Sequence, residues 1–84
     1  MEQLAVDQKI RSVLDQHARL AVGIDDLDSN ADLYSAGMTS LSSVNVMLAL
    51  EEEFDLEFPE HLLNRSTFAS VESIRRGIQD ADHG

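Results

Sequence analysis

Ser40-Leu41-Ser42-Ser43-Val44-Asn45-Val46-Met47-Leu48-Ala49-Leu50-Glu51-Glu52-Glu53-Phe54 is the stretch that decides the fold. It holds strong helix formers throughout and neither glycine nor proline, so the sequence predicts a helix from about Ser40 to Phe54. Placed at about 100° per residue, its apolar side chains separate into two stripes. Val46, Met47, Leu50 and Phe54 cluster around one direction, and Leu41, Val44 and Leu48 lie on nearly the opposite side. In a chain of 84 residues one helix can turn only one face fully inward. The second stripe is therefore expected to be partly exposed, as a docking surface is, unless the loop before the helix folds over it.

Downstream, Pro59 disfavours helix at the residue before it and suits the first turn of a short third helix containing His61, Leu62 and Leu63. Ser66 and Thr67 offer caps for a last helix carrying Phe68, Val71, Ile74 and Ile78. The polar tail from Asp80 to Gly84 is expected to fray. Upstream, Ile24 to Thr39 reads as a loop. Asp25, Asp26, Asp28, Ser29, Asn30 and Asp32 are turn formers, and Leu27, Leu33 and Tyr34 are its apolar pegs. A loop of this length must be pinned to the core by such pegs or contain a short helical turn; Gly37 closes it. From Leu4 to Leu20, Val6, Ile10, Val13, Leu14 and His17 recur at helical spacing, with Gly23 as a stop. No strand pattern, repeat or linker is present. The expected architecture is all-α: a four-helix bundle in one domain over residues 1–84, ordered from about 4 to 79, with a long loop between the first two helices and a short third helix.

Composition removes whole classes of function. Six Lys+Arg against sixteen Asp+Glu leave a formal net charge of −10. That argues against nucleic acid and anionic membranes, which need a basic patch, and favours basic protein partners. With no cysteine, disulfides, thiol catalysis and Cys-ligated zinc are out. No apolar run is long enough to span a membrane and none follows a charged leader, so the expected compartment is the cytosol. Asp26-x-Asp28-x-Asn30-x-Asp32 imitates the start of a calcium loop, but Ala31 and Gly37 stand where Gly and Glu are needed. His17, His61 and His83 lack metal-ligand spacing, so no metal is expected. Ser40 has neither a Gly-x-Ser-x-Gly elbow nor a readable His or Asp partner, so a hydrolase is not expected.

The start of the central helix is the candidate site. A helix N-terminus gathers unpaired N–H groups and favours an anion, and Gly37 allows close approach to the backbone. In isolation, Ser40 would be an ordinary N-cap. Its surroundings say more. Gly37-Met38-Thr39-Ser40-Leu41, then Val44, then Leu48-Ala49-Leu50-Glu51-Glu52-Glu53-Phe54 and Phe58-Pro59, resembles the acyl carrier protein family and its peptidyl carrier relatives. Asn30-Ala31-Asp32-Leu33-Tyr34 upstream and Thr67-Phe68-Ala69-Ser70-Val71-Glu72-Ser73-Ile74 downstream fit the same family in order and spacing. The resemblance covers about residues 8 to 79.

That resemblance implies a carrier and not an enzyme. It implies a 4′-phosphopantetheine arm, drawn from coenzyme A, on Ser40, with Gly37, Met38, Thr39 and Leu41 around the attachment. The cargo would ride as a thioester on the arm's thiol, which suits a chain without cysteine. Expected partners are a phosphopantetheinyl transferase, an amino acid or acyl ligase and a downstream acceptor enzyme, with Leu41, Val44, Leu48, Glu51 and Glu52 facing them and the chain a monomer. Two departures matter. Thr39 stands where the family's commonest motif has Asp, and Ser42 and Asn45 stand where fatty-acid carriers usually have acids. The cargo end of the helix is thus neutral, and charge moves to Glu51, Glu52, Glu53, Asp55 and Glu57. This favours a specialised carrier with amino-acid cargo loaded by a dedicated adenylating ligase, over fatty-acid or polyketide-type cargo. An acidic helical adaptor that binds a basic partner without cofactor is the rival from another class; it leaves the Gly-x-x-Ser-Leu opening unexplained.

Overall fold

The computed structural model describes residues 2–83. Three α-helices, α1 (Glu2–His17), α2 (Ser40–Phe54) and α3 (Val71–His83), are joined by two long connections, each holding one 3-10 turn, Ile24–Asp26 and Glu60–Leu62. Among the described residues there is no strand, as expected.

The fold departs from the sequence-based expectation in four places. The short third helix is only the 3-10 turn Glu60–Leu62, so there are three α-helices and not four. It stops because Leu63 leaves helical geometry (φ −85°, ψ 70°) and because the Asn64 amide donates to the His61 carbonyl oxygen at 2.9 Å, ending the turn. The last helix begins at Val71 and not near Ser66, leaving Phe68 in the connection. Ser70 and Ser73 start it with a reciprocal cap: the Ser73 N–H donates to Ser70 Oγ at 3.0 Å and the Ser70 N–H to Ser73 Oγ at 2.9 Å. Asp80 to His83 continue α3 where fraying was expected, while Gly84 lies outside the described residues. Finally, α1 ends at His17, and Arg19 takes the left-handed conformation (φ 57°) that Gly23 was expected to supply.

The core is shared by all three helices. Ile10, Val13 and Leu14 of α1, Val46 and Leu50 of α2, and Val71, Ile74 and Ile78 of α3 are buried together. The connections add Ile24, Leu33, Met38, Phe58 and Phe68, of which only Leu33 and Phe68 were expected to face inward. Phe58 and Phe68 meet edge to face at 5.4 Å between ring centroids.

The first connection is long, and polar contacts pin it in addition to its apolar pegs. The Arg11 guanidinium reaches from α1 to donate to the carbonyls of Ile24 at 2.8 Å and Leu27 at 2.9 Å, and to Ser29 Oγ at 3.2 Å. Backbone bonds from Leu33 N–H to the Ala69 carbonyl (2.7 Å) and from Glu72 N–H to the Ser29 carbonyl (2.9 Å) tie it to the start of α3. Gly37 closes it with φ 124°, where a side chain would be strained.

Candidate functional site

The first turn of α2 is built by Thr39. It is the N-cap, extended at φ −98° and ψ 169°, and its hydroxyl accepts from the Ser42 N–H at 3.1 Å. Ser42 Oγ accepts from the Thr39 N–H at 2.8 Å, completing a capping box with serine in the place usually held by Glu or Gln. The two departures from the commonest motif are therefore one device. Ser42, which sequence reasoning counted only as a missing acid, is buried and helps to fix the helix start. The signal was present in the sequence as Thr39-x-x-Ser42.

Because Thr39 caps the helix, Ser40 does not. Ser40 is the first helical residue, exposed, and among the described residues its hydroxyl has no hydrogen-bond partner; its carbonyl accepts from Ser43 Oγ at 2.7 Å. The first turn carries no acidic residue. Ser40 opens onto a cleft of about 290 Å³ between α2 and the second connection, walled by Tyr34, Val44, Met47, Leu63 and Phe68, with Arg65 at its edge.

The other predicted neighbours of the attachment point do not all face this cleft. Leu41 projects into solvent, 76% exposed. Met38 is buried in the core. At Gly37, an added Cβ would stand 3.1 Å from the Ala21 backbone nitrogen. The close approach that Gly37 permits is thus made by the chain itself, sealed by the Ala21 N–H donating to the Ala36 carbonyl at 2.8 Å. Both residues shape the turn from behind.

On α2 the two stripes separate as expected. Val46 and Leu50 are fully buried and Met47 and Phe54 partly so, while Leu41, Val44 (49%) and Leu48 (54%) remain exposed. The loop does not cover the second stripe. Leu63, 47% exposed across the cleft, extends the same apolar surface from the second connection, and sequence reasoning had read it only as part of a helix. Of the predicted acidic rim, Glu52 is exposed, but Glu51 is turned to structural use: its Oε2 accepts from the Phe58 N–H at 3.0 Å. Glu53 lies 4.0 Å from the Lys9 ammonium.

Among the described residues, no three His, Cys, Asp or Glu side chains are grouped to hold a metal ion. Asp32, in the calcium-like run, accepts instead from the Tyr34 N–H and the Ser35 hydroxyl, each at 3.0 Å. The Ser35 bond foremost holds its carboxyl below the usual carboxylate range. No described helix is long and apolar enough to cross a membrane.

A free hydroxyl at a capped helix start, an adjoining cleft and an exposed apolar helix face describe a small helical carrier. The chain belongs to the phosphopantetheine attachment site family, which it matches over residues 8–74. It is 48% identical over 70 residues to the aminoacyl carrier protein of Agrobacterium fabrum, covering 83% of this chain and 84% of that one. Among solved structures, it resembles a chain in the complex of an engineered Bradyrhizobium japonicum glycine:[carrier protein] ligase with carrier protein from Agrobacterium tumefaciens and AMP. The TM-score is 0.85 and the identity 42%, over 87% of this chain and 97% of that one. A chain in the complex of the Bradyrhizobium japonicum ligase with glycylated carrier protein gives a TM-score of 0.75 and 32% identity, over 87% and 97%. The protein is therefore a carrier and not an enzyme, and its cofactor is 4′-phosphopantetheine.

The residues suit that group. The exposed Ser40 hydroxyl would be free to take an ester bond without unmaking the helix cap, and a cleft adjoins it. When bound, the arm supplies the thiol that this cysteine-free chain lacks.

Proposed function

We propose that this protein carries an activated amino acid on an arm attached to Ser40. The observation that carries the assignment is the division of labour at the helix start: Thr39 and Ser42 hold the cap, leaving the Ser40 hydroxyl exposed and uncommitted. In the loading of the arm, Ser40 Oγ forms the new ester bond to the pantetheine-bearing phosphorus of coenzyme A as the pyrophosphate P–O bond from that phosphorus breaks. Adenosine 3′,5′-bisphosphate leaves, and a phosphopantetheinyl transferase accepts the hydroxyl proton. Use of coenzyme A as donor supports a cytosolic setting for this reaction.

Amino-acid cargo is supported by the relatives named aminoacyl carrier proteins and by those solved with glycine:[carrier protein] ligase. It is also supported by the neutral front half of α2, where Ser42 is buried in the cap and Asn45 is exposed. Such a surface lacks the ion pairs that would draw a partner selecting acidic carriers. In this reading the ligase seats on Leu41, Val44 and Leu48, with Leu63 beside them and Glu52 at the rim, and a downstream acceptor enzyme later uses the same face.

Intact mass after incubation with a broad-specificity phosphopantetheinyl transferase and coenzyme A tests the attachment. The wild-type protein gains one arm, located by peptide mapping on the segment holding Ser40, and Ser40→Ala folds normally and gains none. An arm on the alanine variant overturns the assignment. Incubating the arm-bearing protein with a glycine:[carrier protein] ligase, ATP and single amino acids then reads the cargo. Failure of every amino acid, together with loading by a fatty acyl ligase, overturns the aminoacyl reading.

A further inference from the structure

Among the described Lys and Arg residues, Lys9, Arg11, Arg75 and Arg76 each have a carboxylate within 4.0 Å, whereas Arg19 and Arg65 have none; of these two, Arg65 lines the cleft that Ser40 opens onto. In a chain of net charge −10, a cation without an ion pair beside the candidate attachment point is a potential counter-charge for an anion there. The Arg65 guanidinium sits over the Tyr34 ring, with Cζ 3.8 Å from the ring centroid, in the lining of the cleft that Ser40 also lines. Asp32 is near enough to feel the charge of Arg65, but among the described residues no hydrogen bond or ion pair within 4.0 Å joins the two, and the Asp32 oxygens accept instead from the Tyr34 N–H and the Ser35 hydroxyl.

Stacking occupies the face of a guanidinium and leaves the N–H groups around its edge free to donate. The turn that carries Arg65 is itself held in place. Asn64 Oδ1 accepts from the Thr67 N–H at 3.0 Å, and the Phe68 N–H donates to the Arg65 carbonyl at 3.2 Å. Val44, Met47, Leu63 and Phe68 make the neighbouring walls apolar, which strengthens a charge interaction at the cleft. A planar cation held by an aromatic ring, whose N–H groups make no hydrogen bond among the described residues, fits a tetrahedral oxyanion better than a mobile ammonium would.

We infer that Arg65, braced by Tyr34, is the counter-charge that positions the phosphodiester of the arm on Ser40. The inference rests on Ser40 as the point of attachment. Arg65 is a positioning residue here: it fixes the root of the arm along the cleft, while the far end stays free to reach a partner. A lysine at this position would supply charge but neither the stack nor the paired donors.

The test compares arm-free and arm-bearing forms of the wild-type protein and of Arg65→Gln. Phosphorus NMR of the arm-bearing forms, with the urea-unfolded protein as reference, reads the environment of the phosphodiester. Melting temperature before and after attachment reads its energetic coupling to the fold. Any loss from removing the stack alone appears in both forms of the variant and cancels in the difference. In the wild type the phosphorus resonance should stand apart from the unfolded reference, and in Arg65→Gln it should move toward it. Attachment should lower the melting temperature of the variant by about 2–4 °C more than that of the wild type, as expected for loss of one exposed ion pair in a domain of this size. Equal phosphorus shifts and equal melting differences overturn the inference. Peptide mapping of the same samples separates the two levels: an arm found elsewhere than Ser40 overturns the attachment itself, whereas an arm on Ser40 that is blind to Arg65→Gln overturns only the role of Arg65.

Discussion

Placing Val44→Asp beside Leu50→Ala tests whether the two sides of α2 do different work. Leu50 is fully buried among all three helices, so truncation removes its transfer energy and leaves a cavity, a loss of about 2–5 kcal/mol. Val44 is 49% exposed. Burying a valine completely is worth about 1.5–3 kcal/mol, so the half-buried side chain contributes about 1 kcal/mol, and an aspartate there keeps its charge in water. At about 4–8 °C per kcal/mol for a domain of this size, Leu50→Ala should lower the melting temperature at least twice as far as Val44→Asp. Loading should rank them in reverse. A charge placed in the middle of a ligase contact should cost on the order of 2 kcal/mol, more than a tenfold fall in kcat/KM, because anchors near the centre of an interface dominate its energy. Thermal melts and initial rates of glycine:[carrier protein] ligase loading, measured well below both melting temperatures, give the comparison. Equal melting losses would refute the two-face reasoning, and unchanged loading of Val44→Asp would remove this stripe from the ligase contact.

Arg11→Met keeps the aliphatic stem but removes the donors to Ile24, Leu27 and Ser29; it should cost about 2–4 kcal/mol and speed amide exchange at Leu33 and Glu72, read by hydrogen exchange. Raising salt from low to moderate should raise the melting temperature by screening a net charge of −10 while slowing loading by partners drawn to the acidic rim; a flat or falling melt would show that repulsion does not limit the fold. The Arg75 hydrogen bond, followed by that of Arg76, holds the Glu72 carboxyl below its ordinary value of 4.5. A lowered folded-state value means that the stabilisation is complete above that pH and is lost as pH falls through the lowered value. Glu72→Gln should therefore melt below the wild type at neutral pH, and the gap should close in acid.

What could be read in advance followed from strong, redundant signals. The bounds of α2, its inward stripe and its exposed stripe all come from side-chain periodicity over four turns, and the burial of Val46 and Leu50 in one core with residues of α1 and α3 realises that pattern. The start of α3 was misplaced because Ser66 and Ser70 are equally good caps when read singly. The reciprocal bonds between Ser70 and Ser73 decide for the second, and they depend on the pair. The pinning by Arg11 was illegible because its three acceptors lie 13 to 18 residues away, and only the folded path of the connection brings them together. The same is true of Arg65, whose place on Tyr34 depends on two loops meeting.

The two reciprocal caps, Thr39 with Ser42 and Ser70 with Ser73, are made from hydroxyls alone. A cap built on Asp or Glu lets go as its carboxylate takes up a proton, but a hydroxyl has no charge to lose at any pH where the protein folds. The cap that opens α2 is therefore indifferent to acid, whereas the first turn of α3 also carries Glu72, whose contribution through Arg75 and Arg76 is lost as pH falls. At the mouth where Ser40 stands, the first turn of α2 has no carboxylate either. A base that cleaves the cargo bond or an acid that protects it would act on the cargo itself, while the helix end presenting it stays unchanged, so the pH profile of cargo loss from the folded carrier should track that of a small-molecule thioester.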